Sequence, residues 1–175
     1  MVEQVHFGED YEFPKEVHNM LVAAQEAHVQ YSAMADSKAS ILMGASFVVF
    51  SLTLGQMQSN QISMPMLVLG SFSFFATVLS VLAVLPVIGG KVKFAAPNLL
   101  FFGVFSRMKE DEFVDTLVEQ MRSEETVYRM MARDLHQNGV ILQLHKYRFL
   151  RYAYRTFLIG IVATAVAFIV QALLA

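Results

Sequence analysis

The stretch ASILMGASFVVFSLTLGQMQSNQISMPMLVLGSFSFFATVLSVLAVLPVIGG, Ala39 to Gly90, contains no Asp, Glu, Lys, Arg or His. Within it Ile41–Met57 is mostly apolar, Gln56–Ser63 is a polar break, and Pro65–Ile88 is apolar again. A buried helix in a soluble protein seldom needs more than about a dozen wholly apolar positions. Crossing hydrocarbon needs roughly 20, because every backbone group must be bonded within the segment. The stretch therefore predicts two membrane helices joined by a very short turn. A second uncharged run, Thr156–Ala175, predicts a third.

Outward from these runs, the composition agrees. The 175 residues allow one unit and little more. An apolar fraction of 55% and fifteen Phe are high for a soluble domain, and the apolar residues are segregated rather than spread. The formal charge is only -2, but eleven of the thirteen Lys and Arg lie between Lys91 and Arg155, while seven of the fifteen acids precede Ala39. The acidic N-terminal part argues against a nucleic-acid arm there, and no DNA or RNA partner is expected. With no cysteine, disulfides and thiolate chemistry are excluded. Residues 1–14 read as a mobile acidic leader without the apolar core of a secretory signal, so the first hydrophobic helix must direct insertion.

Pro14 suits a first helical turn, and the apolar positions Val17, Met20, Leu21, Ala24, Ala27, Tyr31, Met34 and Ala35 form a helical stripe. Residues 15–38 are therefore expected as an amphipathic helix continuing into the first span, 39–58. At 1.5 Å per residue its forty residues would extend about 60 Å. Ser63 and Pro65 set the start of the second span, 64–88. Pro86 and Gly89-Gly90 end or kink it, with Lys91 and Lys93 as snorkelling anchors. The aromatic run Phe94–Ser106 is too short to span and is expected at the interface or wedged against polar helices. From Lys109 to Tyr154 one long helix is expected, or two with a break at Gly139. Met121, Tyr128, Leu135, Leu142 and Phe149 recur every seven residues along it, beside Leu117, Met131 and Leu144. The third span is 156–175. The Gln56–Ser63 loop has no Lys or Arg. By the positive-inside rule the N-terminus and the region 91–155 are then cytosolic and the C-terminus external. The expected fold is an all-α membrane protein of three transmembrane helices. Its long cytosolic extensions form a bundle, and its apolar stripe favours a homo-oligomer.

Three groups of residues are candidates for function. At the start of the first span stand Tyr31, Asp36, Lys38 and Ser40, with Ser32 one turn behind. A carboxylate so near hydrocarbon needs a partner from another segment, for which Arg133, Arg151 and Arg155 are candidates. Such a node would couple polar helices to membrane helices; an ordinary helix boundary with a snorkelling lysine has the same composition. Second, Arg148, Arg151 and Arg155 fall at i, i+3 and i+7 of the run from His145 to Arg155, which also carries Lys146, Tyr147 and Tyr154. That face can clamp a phosphate, with a tyrosine stacked on a base; a collar binding lipid phosphates looks alike. Third, Arg129 and Arg133, one turn apart beside Asp134 and His136, can reach an anion, or can simply pair along their own helix, Arg129 with Glu125.

Enzyme chemistry finds little support. The five histidines have no zinc spacing, no metal site is expected, and no Gly-rich phosphate loop or carboxylate pair is specified. Nor do the spans carry the ionisable relay of a dedicated transporter.

Three motifs carry a resemblance. Tyr31-Ser32-Ala33-Met34-Ala35-Asp36-Ser37-Lys38-Ala39-Ser40 ahead of a span resembles the alanine-aspartate-x-lysine-alanine signature of Pycsar-type transmembrane effectors. Asn98-Leu99-Leu100-Phe101-Phe102-Gly103 is similar, as are Val127-Tyr128, Arg133-Asp134-Leu135, Gly139, Lys146-Tyr147 and Leu150-Arg151-Tyr152-Ala153-Tyr154. The resemblance implies a bacterial antiphage effector at the inner membrane. Such effectors sense a cyclic pyrimidine mononucleotide, cyclic UMP or cyclic CMP, from a partner cyclase and then impair the lipid bilayer. It marks Asp36, Lys38, Asn98, Arg133, Asp134, Lys146, Tyr147 and Arg151 as the distinctive positions, which adds Asn98 and Asp134 to the coupling node and Lys146 and Tyr147 to the ligand face. The alternatives are a channel subunit gated by another stimulus and a non-enzymatic oligomeric scaffold.

Overall fold

Helices are the only regular structure among the described residues, which in this computed structural model are 13–57, 63–86 and 96–174. The acidic leader up to residue 12, the centre of the polar break (58–62), and Gly89-Gly90, Lys91, Lys93 and Phe94 lie outside them. The elements are α1 (Lys15–Met57), α2 (Met64–Val84), a single turn α3 (Phe102–Phe105), α4 (Glu110–Gln120), α5 (Glu124–Ile141), a π-helical segment (Leu142–Tyr147) and α6 (Arg148–Leu174). Three helical rods are long and apolar enough to cross a membrane: Lys15–Gln56, Met64–Val84 and Glu124–Leu174. The 21 residues of α2 extend about 31 Å, the thickness of a hydrocarbon core.

The chain divides into two units, Met1–Gln30 with Ile88–Ile141, and Tyr31–Val87 with Leu142–Ala175. In the second unit α1, α2 and α6 pack through small side chains. Ala35, Ala39, Leu42, Ser46 and Thr53 are buried on α1; Gly70, Ser73, Ala76, Ser80 and Ala83 on α2; Leu150, Ala153, Gly160 and Thr164 on α6. Without a hydrophobic drive between helices in lipid, close approach of backbones supplies the packing, and small residues permit it. The approach is tight: a Cβ on Gly160 would overlap Phe72 Cβ and lie 2.9 Å from Phe72 Cγ, and one on Gly70 would lie 2.9 Å from Thr53 Oγ1. Ser46 on α1 meets Thr77 on α2 (Oγ–Oγ1 2.8 Å), while Ala35 and Ala39 cluster with Ala83 and Leu150. These pairs run α1 and α6 parallel to each other and antiparallel to α2. The outward faces are large and apolar, with Ile41, Phe47, Phe75 and Val162 more than half exposed.

In the first unit, the start of α1 lies along α5. Phe13 stacks edge-on against Tyr128 (centroids 4.9 Å), and a Cβ on Gly139 would stand 2.9 Å from His28 Cε1. Gly139 is thus a point of close helix approach, and the helix continues through it. The break falls instead at Met121–Ser123, where Ser123 Oγ accepts the Thr126 N–H (3.2 Å) and acids follow in the first turn of α5. The side chains α5 buries are Met130, Asp134 and Gln137 rather than the heptad stripe, of which Met121 and Leu144 are exposed. The segment 96–101 packs as the wedge rather than lying free: Gln137 Nε2 donates to the Ala96 carbonyl (3.0 Å).

Candidate functional site

Two clusters of polar side chains, one in each unit, hold part of the candidate residues. In the first unit Asp134 is only 2% exposed and accepts three hydrogen bonds. Asn98 Nδ2 (2.7 Å) and Asn138 Nδ2 (2.8 Å) donate to Oδ1, and Gln25 Nε2 (2.8 Å) donates to Oδ2. All three donors are neutral carboxamides, so the buried carboxylate is held by amide dipoles, an arrangement that works only if each donor stays in place. Asn98, itself 2% exposed, also accepts the Leu100 N–H at Oδ1 (3.0 Å). Its amide closes the 98–100 turn with one end and ties that turn to α5 with the other. A carboxamide does both, where a carboxylate would not, since the first bond needs an acceptor and the second a donor.

In the second unit the partner of Asp36 is Lys146, not Arg133, Arg151 or Arg155. Lys146 Nζ lies 2.6 Å from Asp36 Oδ2 and donates to Ser32 Oγ at 2.8 Å. The other carboxylate oxygen, Oδ1, is buried without a hydrogen-bond partner among the described residues. Lys146 sits in the π-helical segment, whose extra residue per turn re-aims the side chains leaving it. The next residue, Tyr147, donates its hydroxyl to the Tyr31 carbonyl (3.3 Å), and about two turns on, in α6, Tyr154 donates to the Lys38 carbonyl (3.4 Å). The start of the first span is therefore strapped to the start of α6 by one ion pair and two tyrosines.

The expected node of Tyr31, Asp36, Lys38, Asn98 and Asp134 is accordingly two clusters. Tyr31, Asp36 and Lys38 gather with Lys146, Tyr147 and Tyr154; Asn98 and Asp134 gather with Gln25 and Asn138. Among the basic residues, Arg129 pairs with Glu125 within α5 (2.6 Å). Arg133, Arg148, Arg151 and Arg155 are exposed, with Arg148 also 5.7 Å over the Phe149 ring. Arg148, Arg151 and Arg155 line one face at the start of α6.

Gln25, Asn138 and Gln137 were not singled out as functional. Asn138 stands one turn from Asp134, a spacing that signals a helix-surface bond; Gln25, 109 positions away, leaves no local trace. Among the described residues no group of three His, Asp or Glu side chains could hold a metal ion.

The description "Pycsar effector protein domain" matches residues 19–172, which takes in both clusters and all three spans. The chain belongs to the Pycsar effector family. It is a membrane effector domain of antiviral defence, and its transmembrane helices place it in a lipid bilayer. No curated protein and no solved structure matches this effector.

Proposed function

We propose that this effector acts without catalysis: a cyclic pyrimidine mononucleotide binds its basic helix faces and shifts the spans into a state that breaches the bacterial inner membrane. The observation that carries this reading is the arrangement at the start of α6. Exposed Arg148, Arg151 and Arg155 stand beside a lysine that is itself engaged by Asp36. A cyclic phosphodiester carries one negative charge, and arginine binds it by charge-assisted bonds. Lys146 leaves the preceding π-helical turn toward Asp36 on α1, and a phosphate drawn to this end of α6 competes with Asp36 for it. Losing that ion pair loosens the strap between α1 and α6, which is the differential contact a population shift requires. Arg129 and Arg133 are further basic side chains within the other unit, where the Asp134–Asn98 bond ties the 98–100 turn to α5.

The distribution of charge supports the orientation. The regions 15–38 and 91–155 are cytosolic, the spans are 39–58, 64–88 and 156–175, and the C-terminus is external. A nucleotide from a cytosolic cyclase would then meet the basic face directly. Homo-oligomers supply the several copies that a breach of the bilayer needs.

Calorimetry on the purified effector in detergent tests the reading. Cyclic UMP or cyclic CMP binds and cyclic AMP does not, and Arg151→Ala weakens binding by about tenfold, the worth of one charge-assisted contact. Absence of heat with either pyrimidine nucleotide contradicts it.

A further inference from the structure

The three membrane helices are polarised. Their outward faces carry bulky apolar side chains such as Ile41, Phe47, Phe74, Phe75 and Val162. Five hydroxyls are turned inward, Ser46 at 0% exposed, Ser73 1%, Ser80 0%, Thr53 5% and Thr164 9%, while Ser51 and Ser71 are exposed. Some of these are satisfied. Ser46 donates to the Leu42 carbonyl (2.7 Å) and meets Thr77 (2.8 Å); Thr77 donates to the Ser73 carbonyl (2.9 Å) and Thr164 to the Gly160 carbonyl (2.7 Å). Ser73 Oγ and Ser80 Oγ are not. Both are buried in the seam without a hydrogen-bond partner among the described residues.

Close packing accounts for small side chains on this face but not for those two hydroxyls. Ala76 and Ala83 lie on the same face of α2, equally buried, so alanine fits there without the cost of a desolvated O–H. An orphan hydroxyl disfavours the closed seam and is relieved as soon as water reaches it. At one end the seam is also incompletely filled, widening to a cavity of about 290 Å³ among Thr53, Pro65, Leu69 and Thr164.

We infer that the inward face of α2 centred on Ser73 and Ser80 becomes the wall of the aqueous path when the membrane is breached. The inference rests on the membrane-breaching reading given above and assigns the path to a surface. The outward faces cannot line water without exposing Phe and Ile to it, whereas the seam offers hydroxyls at successive turns of one helix, Ser73, Thr77 and Ser80. Opening the seam parts Ser46 from Thr77 and hydrates the two unpaired serines together.

The absence of cysteine from the chain makes the test direct. Ser73→Cys, Ser80→Cys and, on a more exposed position of the same helix, Val78→Cys are each reconstituted in dye-loaded phospholipid vesicles. They are then treated with a charged, membrane-impermeant methanethiosulfonate, which reacts only with a water-exposed thiolate. With cyclic UMP or cyclic CMP driving dye release, the two seam cysteines react, only in the releasing state, and their labelling reduces release severalfold; Val78→Cys stays unlabelled. Dye release with both seam cysteines unreactive, or with Val78→Cys labelled instead, overturns the assignment while leaving the breach itself standing. No release under either nucleotide overturns the breach and the assignment together. Ser73→Ala and Ser80→Ala give a second readout that does not depend on accommodating a thiol. Each removes the orphan hydroxyl, favours the closed seam and lowers release by about fivefold; unchanged release counts against the inference.

Discussion

Asp134 and Asp36 are carboxylates held in opposite ways. Asp134 is buried and bound by three amides, while Asp36 is half-buried and bound by a cation. Asn98→Asp replaces the amide that donates to Asp134 with a second carboxylate 2.7 Å from the first. It should lower the stability of the polar unit by about 2–3 kcal/mol, read as earlier thermal unfolding in detergent or earlier proteolysis between 96 and 141. The Lys146–Asp36 pair keeps side-chain exposures of 22% and 38%, so screening limits its worth. A double-mutant cycle with Lys146→Met and Asp36→Asn should give a coupling of about 1 kcal/mol, smaller at high salt. A coupling indistinguishable from zero at low salt would remove the ion pair from the strap. That Asp36 needed a partner was legible from its place beside an apolar run. Which partner it takes was not, because Lys146 is 110 positions away and reaches it through the register of a π-helical segment.

At the scale of elements, both membrane runs of Ala39–Gly90 and the continuous helix through residue 38 were legible from charge and length alone. The Met121–Ser123 break has its own sequence signal, the Ser-Glu-Glu-Thr start of α5, which the expected break at Gly139 did not use. Helical glycine breaks nothing when it is filling a contact, as Gly139 does against His28. The π-helical segment has no local signature, since its extra residue is stabilised by what Lys146 and Tyr147 reach across to. The packing of α2 on α6 yields a sharp contrast. Gly160→Ala puts a methyl into Phe72 near its backbone, where no rotamer change gives way, and should cost about 1–3 kcal/mol. Gly44→Ala meets nothing within 4 Å and should be neutral or slightly stabilising through helix propensity. Equal thermal midpoints for the two variants would contradict the close α2–α6 approach.

For the whole molecule, a family of membrane effectors and a bilayer location follow from three spans and a match over residues 19–172. The spans are written in uncharged runs, the most legible of all signals, because hydrocarbon tolerates so few side chains. Division into two units leaves no mark in α1, which passes from Gln30 to Tyr31 as uninterrupted helix. What the effector does with its spans is a difference between two states, and a single sequence encodes that only through which contacts are weak. The central claim is that a cyclic pyrimidine nucleotide turns a closed three-span unit into a leaking one, and dye release from vesicles containing the purified effector measures it most directly. The account predicts retention without nucleotide and with cyclic AMP, and release on addition of cyclic UMP or cyclic CMP; retention under all of these, or equal release without any nucleotide, would contradict it.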